Sequence, residues 1–243
     1  MGNFLKKVKD FFRTHFFNQK WRCASCNEEI FSGKYFCEEC EKKLPYIDSY
    51  HCEHCGRELK TPSNFCTSCK EKMLSVDKAR SVFNYKNPIS NLIMQLKYFD
   101  KRYLARVFSE ELANLYRKNY FNADFLCYVP MTKKALKKRG FNQGELIATL
   151  LSEKINVPVK NVLIKTKETT RQAKLTREER LKNLQGCFKA QPKKEINGKT
   201  IVLVDDVLTT GATSETVANL LKKKGAKAVY LITVASVPSK DGY

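Results

Sequence analysis

Ile201-Val-Leu-Val-Asp205-Asp206-Val-Leu-Thr209-Thr210-Gly211-Ala212-Thr213 is the stretch that decides the fold. Four apolar residues, three of them β-branched, predict a buried strand over residues 199–204. Two adjacent carboxylates close it, a short Thr/Gly loop follows, and residues 214–224 read as the helix that the loop opens. In open parallel sheets, ligands bind at the carboxyl ends of strands beside helix N-termini. This unit offers acidic acceptors and backbone N–H donors together, and a ribose 5-phosphate needs both. Thr209, Thr210 and Thr213 add hydroxyl donors. Gly211 lets the backbone take a positive φ close to phosphate oxygens. A P-loop is excluded, because no G-x-x-x-x-G-K-[ST] run occurs in the chain.

The same stretch resembles the phosphoribosyl-pyrophosphate (PRPP) motif of type I phosphoribosyltransferases. The resemblance implies that Asp205 and Asp206 hold ribose hydroxyls. It implies that Thr209, Thr210, Gly211, Ala212 and Thr213 hold the 5-phosphate.

Ten cysteines occur in the 243 residues, and eight form C-x-x-C pairs: Cys23/Cys26, Cys37/Cys40, Cys52/Cys55 and Cys66/Cys69. The gap is ten residues within the first two pairs and again within the last two, which is a repeated unit. Two C-x-x-C turns make one tetrahedral S₄ cage for Zn²⁺, so two structural zinc sites are expected. First pair with second and third with fourth is the expected pairing; an interleaved arrangement uses the same eight ligands. Four evenly spaced copies argue against a redox role. His51 and His54 flank Cys52 and Cys55 but are surplus to eight thiolates, and Cys127 lies in an apolar run that reads as core.

Residues 1–76 hold 13 Lys and Arg against 10 Asp and Glu, a balance of +3, and the rest hold 32 against 15, or +17. Two zinc–tetrathiolate sites bring the first part to about −1. The positive field therefore belongs to the second part and suits an anionic partner such as PRPP, a nucleotide or a nucleic acid. No run approaches the ~18 apolar residues of a membrane span. Residues 1–21 read as a basic amphipathic helix, neither a secretory signal nor a myristoylation site. A cytoplasmic protein is expected; the apolar stripe of that helix is expected to pack on the protein itself, with the inner face of the membrane as the alternative.

Three units follow: residues 1–21, a double zinc module over 22–76 that is too small for a core without metal, and 77–243. In the last, strands over 80–85, 125–129, 162–165, 199–204 and 228–235 alternate with helices over 89–98, 101–116, 143–154 and 214–224. This predicts an α/β fold with a parallel sheet. After the 125–129 strand comes Pro130-Met-Thr-Lys-Lys-Ala-Leu-Lys-Lys-Arg139-Gly-Phe-Asn-Gln143. It reads as a basic loop placed to grip a pyrophosphate, with Thr132, Lys133, Lys134, Arg139, Asn142 and Gln143 as candidates. The polar segment with Arg171, Gln172, Arg177 and Arg180 reads as a lid.

Arg139-Gly-Phe-Asn-Gln143 resembles the corresponding box of the ComF family of competence proteins. Gln172, Leu175, Arg180, Asn183 and Phe188 match that family's Q-x-x-L … R-x-x-N … F segment. Leu96-Lys97-Tyr98-Phe99 resembles its Leu-Lys-Tyr/Phe stretch, and the eight cysteines match its double zinc ribbon. One departure is Ala135, where many relatives carry an arginine that Lys134 or Lys137 would replace.

The resemblance implies a type I phosphoribosyltransferase-like domain preceded by a double zinc ribbon, binding PRPP with Mg²⁺. It implies a role in DNA uptake during natural transformation, with single-stranded DNA and uptake proteins at the membrane as partners. An active phosphoribosyltransferase that joins PRPP to a nucleobase and releases pyrophosphate is the alternative.

Overall fold

A computed structural model describes residues 22–48, 50–119, 121–168 and 177–239. The amphipathic segment 1–21 and the lid residues Arg171 and Gln172 lie outside the described residues. In chain order the elements are α1 (Glu38–Glu41), α2 (Thr67–Glu71), β1 (Lys78–Asn84), α3 (Ile89–Tyr98), α4 (Leu104–Lys118), β2 (Phe125–Tyr128), α5 (Lys133–Arg139) and α6 (Gln143–Ile155). Then come β3 (Leu163–Lys165), α7 (Arg177–Leu184), β4 (Phe188–Ala190), β5 (Thr200–Leu208), α8 (Ala212–Lys223) and β6 (Ala228–Ser236).

Four strands form a parallel sheet in the order β1-β6-β5-β2. Strands β2, β5 and β6 are largely apolar on both faces, as parallel strands under helices must be, whereas β1 is buried but carries Arg80, Ser81 and Asn84. Leu126, Tyr128, Val202, Val204, Ile232 and Val234 join one core with residues of α3, α4 and α6. Phe125, Cys127, Ile201, Leu203, Val229 and Leu231 join a second with Val217, Ala218 and Leu221 of α8. The helices after β2 and after β5 thus leave to opposite sides, and a crevice opens between the carboxyl ends of these two neighbouring strands.

The cysteine module is built into this sheet rather than tethered to it. Cys23, Ala24, Ile30, Phe36 and Leu44 join the first core; Cys52, Cys55, Leu59, Cys66 and Cys69 join the second. Between them the chain runs along the free edge of β1. The Ile47 N–H donates to Val82 O at 3.0 Å, the Asn84 N–H to Pro45 O at 2.8 Å, and the Ala79 N–H to His54 O at 2.7 Å. Buried Arg80 adds donation to Glu53 O at 2.9 Å. An open edge that would template aggregation is thereby sealed. The opposite edge, at β2, is covered by residues 158–160 through Leu126.

The structure corrects three expectations. The strand over residues 162–165 does not enter the parallel sheet; β3 pairs antiparallel with β4 in a separate ribbon. Residues 133–139 are not a loop but α5, started by Thr132, whose Oγ1 accepts the Ala135 N–H at 3.1 Å, and stopped by Gly140 at φ +83. These are ordinary cap signals, masked by a run with only two apolar residues. Finally, β5 runs past Val204 to Leu208, because pairing with β6 continues at Asp205↔Thr233, Val207↔Ala235 and Leu208↔Ser236.

Gly56 and Gly33 both have positive φ, +69 and +68, but differ in surroundings. A Cβ on Gly56 would sit 2.5 Å from Ala79 O, whereas one on Gly33 would meet nothing within 4 Å. Gly33→Ala should cost about 1–2 kcal/mol from backbone conformation alone. Gly56→Ala should cost clearly more, since β1 and the knuckle must separate; equal midpoints in chemical denaturation would contradict this docking.

Candidate functional site

The two carboxylates ride on the last rungs of the sheet. Beyond Leu208, Thr209 and Thr210 turn the chain, Gly211 takes φ +83 as the N-cap, and α8 begins at Ala212. The Ala212 N–H lies 3.4 Å from Thr210 Oγ1, a long contact that leaves the hydroxyl available to a ligand. The helix dipole and the first-turn N–H groups give this end a positive potential.

Neighbouring acids near a buried strand end repel each other and lose hydration. Asp206 is buried, and Lys97 Nζ stands 2.7 Å from its Oδ2. The contact is an ion pair, off the direction of a well-aligned hydrogen bond. Burial opposes the Lys97 charge, but Asp206 and then Asp205 outweigh it and hold the ammonium above its usual range. Asp205 Oδ1 accepts the Asp206 N–H at 2.8 Å. Its carboxyl is pushed up to about 7, by burial first and by the Asp206 charge second. That N–H, Lys97 and Lys165 pull it back in part.

Beside Lys97 lies a cleft of about 720 Å³ between α3, α5 and the loop before α6. Lys97, Arg102, Lys134, Lys138 and Arg139 bring five cations to it, against the acids Asp100 and Glu168. The Arg102 guanidinium sits 4.7 Å from the Phe141 ring centroid, and that of Arg139 lies 5.2 Å from the Tyr98 centroid. These side chains are thus held in place rather than waving in solvent. Tyr98 and Phe99 reach the surface here, 47% and 70% exposed.

Of the candidates read from sequence, Asp205, Asp206 and the 209–213 loop meet at the end of β5. Lys134 and Arg139 line the cleft; Lys133 and Lys137 do not, because the helical turn of α5 sends them to its other side. Of the two replacements for the arginine absent at Ala135, the structure favours Lys134. Asn142 is an architectural cap: buried, it accepts the Gly144 N–H at 2.9 Å and donates to Val129 O at 3.0 Å. Gln143 Oε1 accepts from Arg139 at 2.6 Å and so orients that guanidinium. Thr132 caps α5 and donates to Glu168. Arg180 lies in α7 and does not line the cleft. Lys97 and Arg102 are site residues that the sequence reading did not place; the Leu-Lys-Tyr resemblance is the one signal for Lys97.

The eight paired cysteines gather into two sets, Cys23/Cys26/Cys37/Cys40 and Cys52/Cys55/Cys66/Cys69, in each of which the Sγ atoms lie within 4.8 Å of one another. Pairing is therefore sequential, not interleaved. A ZnS₄ tetrahedron with Zn–S of about 2.3 Å has S···S edges of about 3.8 Å. Cys26 to Cys37 measures 3.8 Å and Cys55 to Cys66 measures 3.6 Å, so both sets fit Zn²⁺. His54 is no ligand: its Nε2 is 3.0 Å from Leu74 O.

Comparison with known proteins agrees with this arrangement. The double zinc ribbon family matches residues 23–70 and the phosphoribosyl transferase domain family matches residues 141–242. Competence protein F of Haemophilus influenzae is 30% identical over 85% of this chain and 86% of its own. DNA utilization protein YhgH of Escherichia coli K12 is 32% identical over 61% and 67%. Competence protein ComFC of Bacillus subtilis is 30% identical over 61% and 60%. Among solved structures, glutamine PRPP amidotransferase from B. subtilis has a TM-score of 0.38 at 22% identity over 53% of this chain and 26% of that one. Purine phosphoribosyltransferase from Pyrococcus horikoshii gives 0.35 at 19% identity over 56% and 84%. Among the described residues, no helix is long and apolar enough to cross a membrane.

The Asp205 carboxyl carries a testable pH signature. Its folded-state pKa of about 7 lies above the ordinary carboxylate value. The folded protein therefore binds more protons than the unfolded chain between the two, and this contribution to stability is lost as pH rises through about 7. Asp205→Asn should raise the melting temperature of the ligand-free protein at about pH 8, and the gain should shrink toward about pH 5.5. A pH-independent difference in thermal denaturation would refute the assignment.

Proposed function

Because this chain belongs to the ComF family of competence proteins, with a double zinc ribbon ahead of a phosphoribosyltransferase domain, we propose that it binds PRPP and acts in the cytosolic handling of incoming single-stranded DNA. One observation carries the PRPP reading: two carboxylates at the carboxyl end of β5 run directly into the Thr209–Thr213 turn at the start of α8, beside a cleft lined with cations. The turn offers its N–H and hydroxyl donors to the 5-phosphate. Asp205 and Asp206 accept the ribose hydroxyls. Lys97, Lys134, Lys138 and Arg139 are the charges available to a diphosphate. Mg²⁺ would enter with PRPP, held mostly by the ligand's own oxygens, and would supply charge neutralisation there.

In this arrangement Lys97 has two tasks. It pairs with Asp206 before ligand arrives, and it faces the cleft that would take the pyrophosphate. Its ammonium links the ribose end of the site to the diphosphate end.

The DNA reading rests on the family and on the uneven charge of the chain. The cleft sets exposed Tyr98 among Arg102, Lys134 and Lys138, with exposed Phe99 next in sequence, an arrangement in which bases stack and cations track phosphates.

Calorimetric titration of PRPP with Mg²⁺ tests the site. Replacing both acids, Asp205→Asn with Asp206→Asn, keeps shape but removes charge-assisted acceptors worth about 1.5–3 kcal/mol each, so affinity should fall at least about tenfold. Unchanged affinity in the folded double variant would reject the site. A panel of nucleobases then distinguishes binding from turnover. In turnover a base nitrogen bonds to C1 as the C1–O bond breaks and pyrophosphate leaves, so released pyrophosphate is the signal.

Single-stranded DNA binding should weaken with salt, with log K falling by about 0.7 per contacted phosphate per log unit. Changing Lys134 and Lys138 to Ala should flatten that slope. Absence of binding by the full chain at low salt would leave DNA contact to a partner protein.

A further inference from the structure

The 209–213 turn is held from behind by the second cysteine knuckle, and we propose that Arg57 of this knuckle is a positioning residue that aims the turn's N–H donors at the bound phosphate. The inference rests on the reading of that turn as the 5-phosphate site. Arg57 follows Cys52-Glu-His-Cys55-Gly56, and the knuckle fixes its backbone. The Cys52 N–H donates to Arg57 O at 2.8 Å and the Gly56 N–H to Cys52 O at 2.9 Å. The side chain is 8% exposed, and its Nη2 donates to the carbonyl of Thr209. Its Nε is buried with no hydrogen-bond partner among the described residues.

A trans peptide group is planar, with C=O and N–H pointing in opposite directions. Gripping the Thr209 carbonyl therefore turns the Thr210 N–H to the opposite side, away from Arg57. Without that grip the Thr209–Thr210 peptide is free to rotate, and a donor that must be aimed before the ligand arrives would be aimed on binding instead.

Two further contacts from the same module act on the same turn. Leu74 packs so closely on Gly211 that a Cβ there would lie 2.7 Å from its Cδ2. The Ser75 N–H and Oγ–H donate to Glu215 in the first turn of α8, at 2.6 and 2.8 Å. Glu215 is itself buried, and Asn219 Nδ2 supports it at 3.3 Å. Residues 57, 74 and 75 thus fix the beginning, the middle and the helical end of the turn. Arg57 of the zinc ribbon, with Leu74 and Ser75 just after it, forms the rear wall of the phosphate site.

The test uses the full zinc-loaded chain and titrates ribose 5-phosphate and, separately, inorganic pyrophosphate. Arg57→Met keeps bulk but removes every donor, and ribose 5-phosphate affinity should fall about tenfold while zinc content and pyrophosphate affinity stay unchanged. Arg57→Gln restores an N–H donor without the charge and should recover most of the loss. In ¹⁵N-labelled protein, the Thr210 amide resonance should shift on adding ribose 5-phosphate in wild type and in Arg57→Gln, but not in Arg57→Met.

Unchanged affinity in Arg57→Met overturns the proposal. So does an equal loss in both variants, which would assign the effect to charge alone. If Arg57→Met does not fold, Arg57→Gln with a full loss and a silent Thr210 amide overturns it, and Gln with retained affinity and a shifting amide supports it. A wild-type chain that binds neither ribose 5-phosphate nor PRPP would remove the phosphate-site reading itself, a result distinct from any of these.

Discussion

The adjacency of Asp205 and Asp206 at a nearly buried strand end is the constraint around which the site is organised. Two carboxylates in sequence, stripped of much of their water, resist ionising together. Lys97 answers this with a single ammonium against Asp206, and Lys165 adds a more distant positive charge toward Asp205. That solution imposes conditions elsewhere. Helix α3 must end where its last turn reaches β5, and its buried face of Ile89, Leu92, Ile93 and Leu96 holds it there. Strand β6 must be long enough to pair with β5 past the acids, and it extends to Ser236. A site that binds hydroxyls with carboxylates thus depends on an ion pair that is satisfied before any ligand enters.

The zinc ribbon takes part in the same design. Its two knuckles flank the sheet, one joining each core, and the chain between them closes the β1 edge. A small cysteine-rich unit of this length cannot stabilise itself by apolar burial. Here it borrows both faces of a sheet, and in exchange its second knuckle braces the turn that follows β5.

What was legible in the sequence follows from how local the cause was. The β5–α8 unit is readable because its strand, acids, turn and helix are contiguous. The zinc ligands are readable because spacing alone encodes a tetrahedral cage, although the choice between sequential and interleaved pairing needed coordinates. Lys97 sits in an ordinary amphipathic helix, and nothing in its neighbours announces an acid pair far downstream. Arg57 is equally silent, since its partner is a backbone carbonyl 152 residues away. Helix α5 was missed for the opposite reason: its caps, Thr132 and Gly140, are local and plain, but five basic residues in seven drew the reading toward a loop. The 162–165 strand reads as part of the parallel sheet because so short a strand carries too little pattern to reveal its true partner, β4.

The position of β1 has a consequence for biosynthesis. In the sheet, its strand partner is β6, and Ser81 meets Thr233 across a separation of 152 residues. On a ribosome β1 emerges long before its mate, which lies 152 residues further along the chain at this pair. Contacts of such long sequence separation close slowly, and an unpaired strand is exposed to misassociation meanwhile. The cysteine knuckles are translated before β1, and metal capture folds such units locally. Residues 45–47 and His54 are then ready to cover one edge of β1 as it appears. The remaining edge is left waiting for β6, so the zinc module protects half of the strand throughout the interval in which the rest of the sheet does not yet exist.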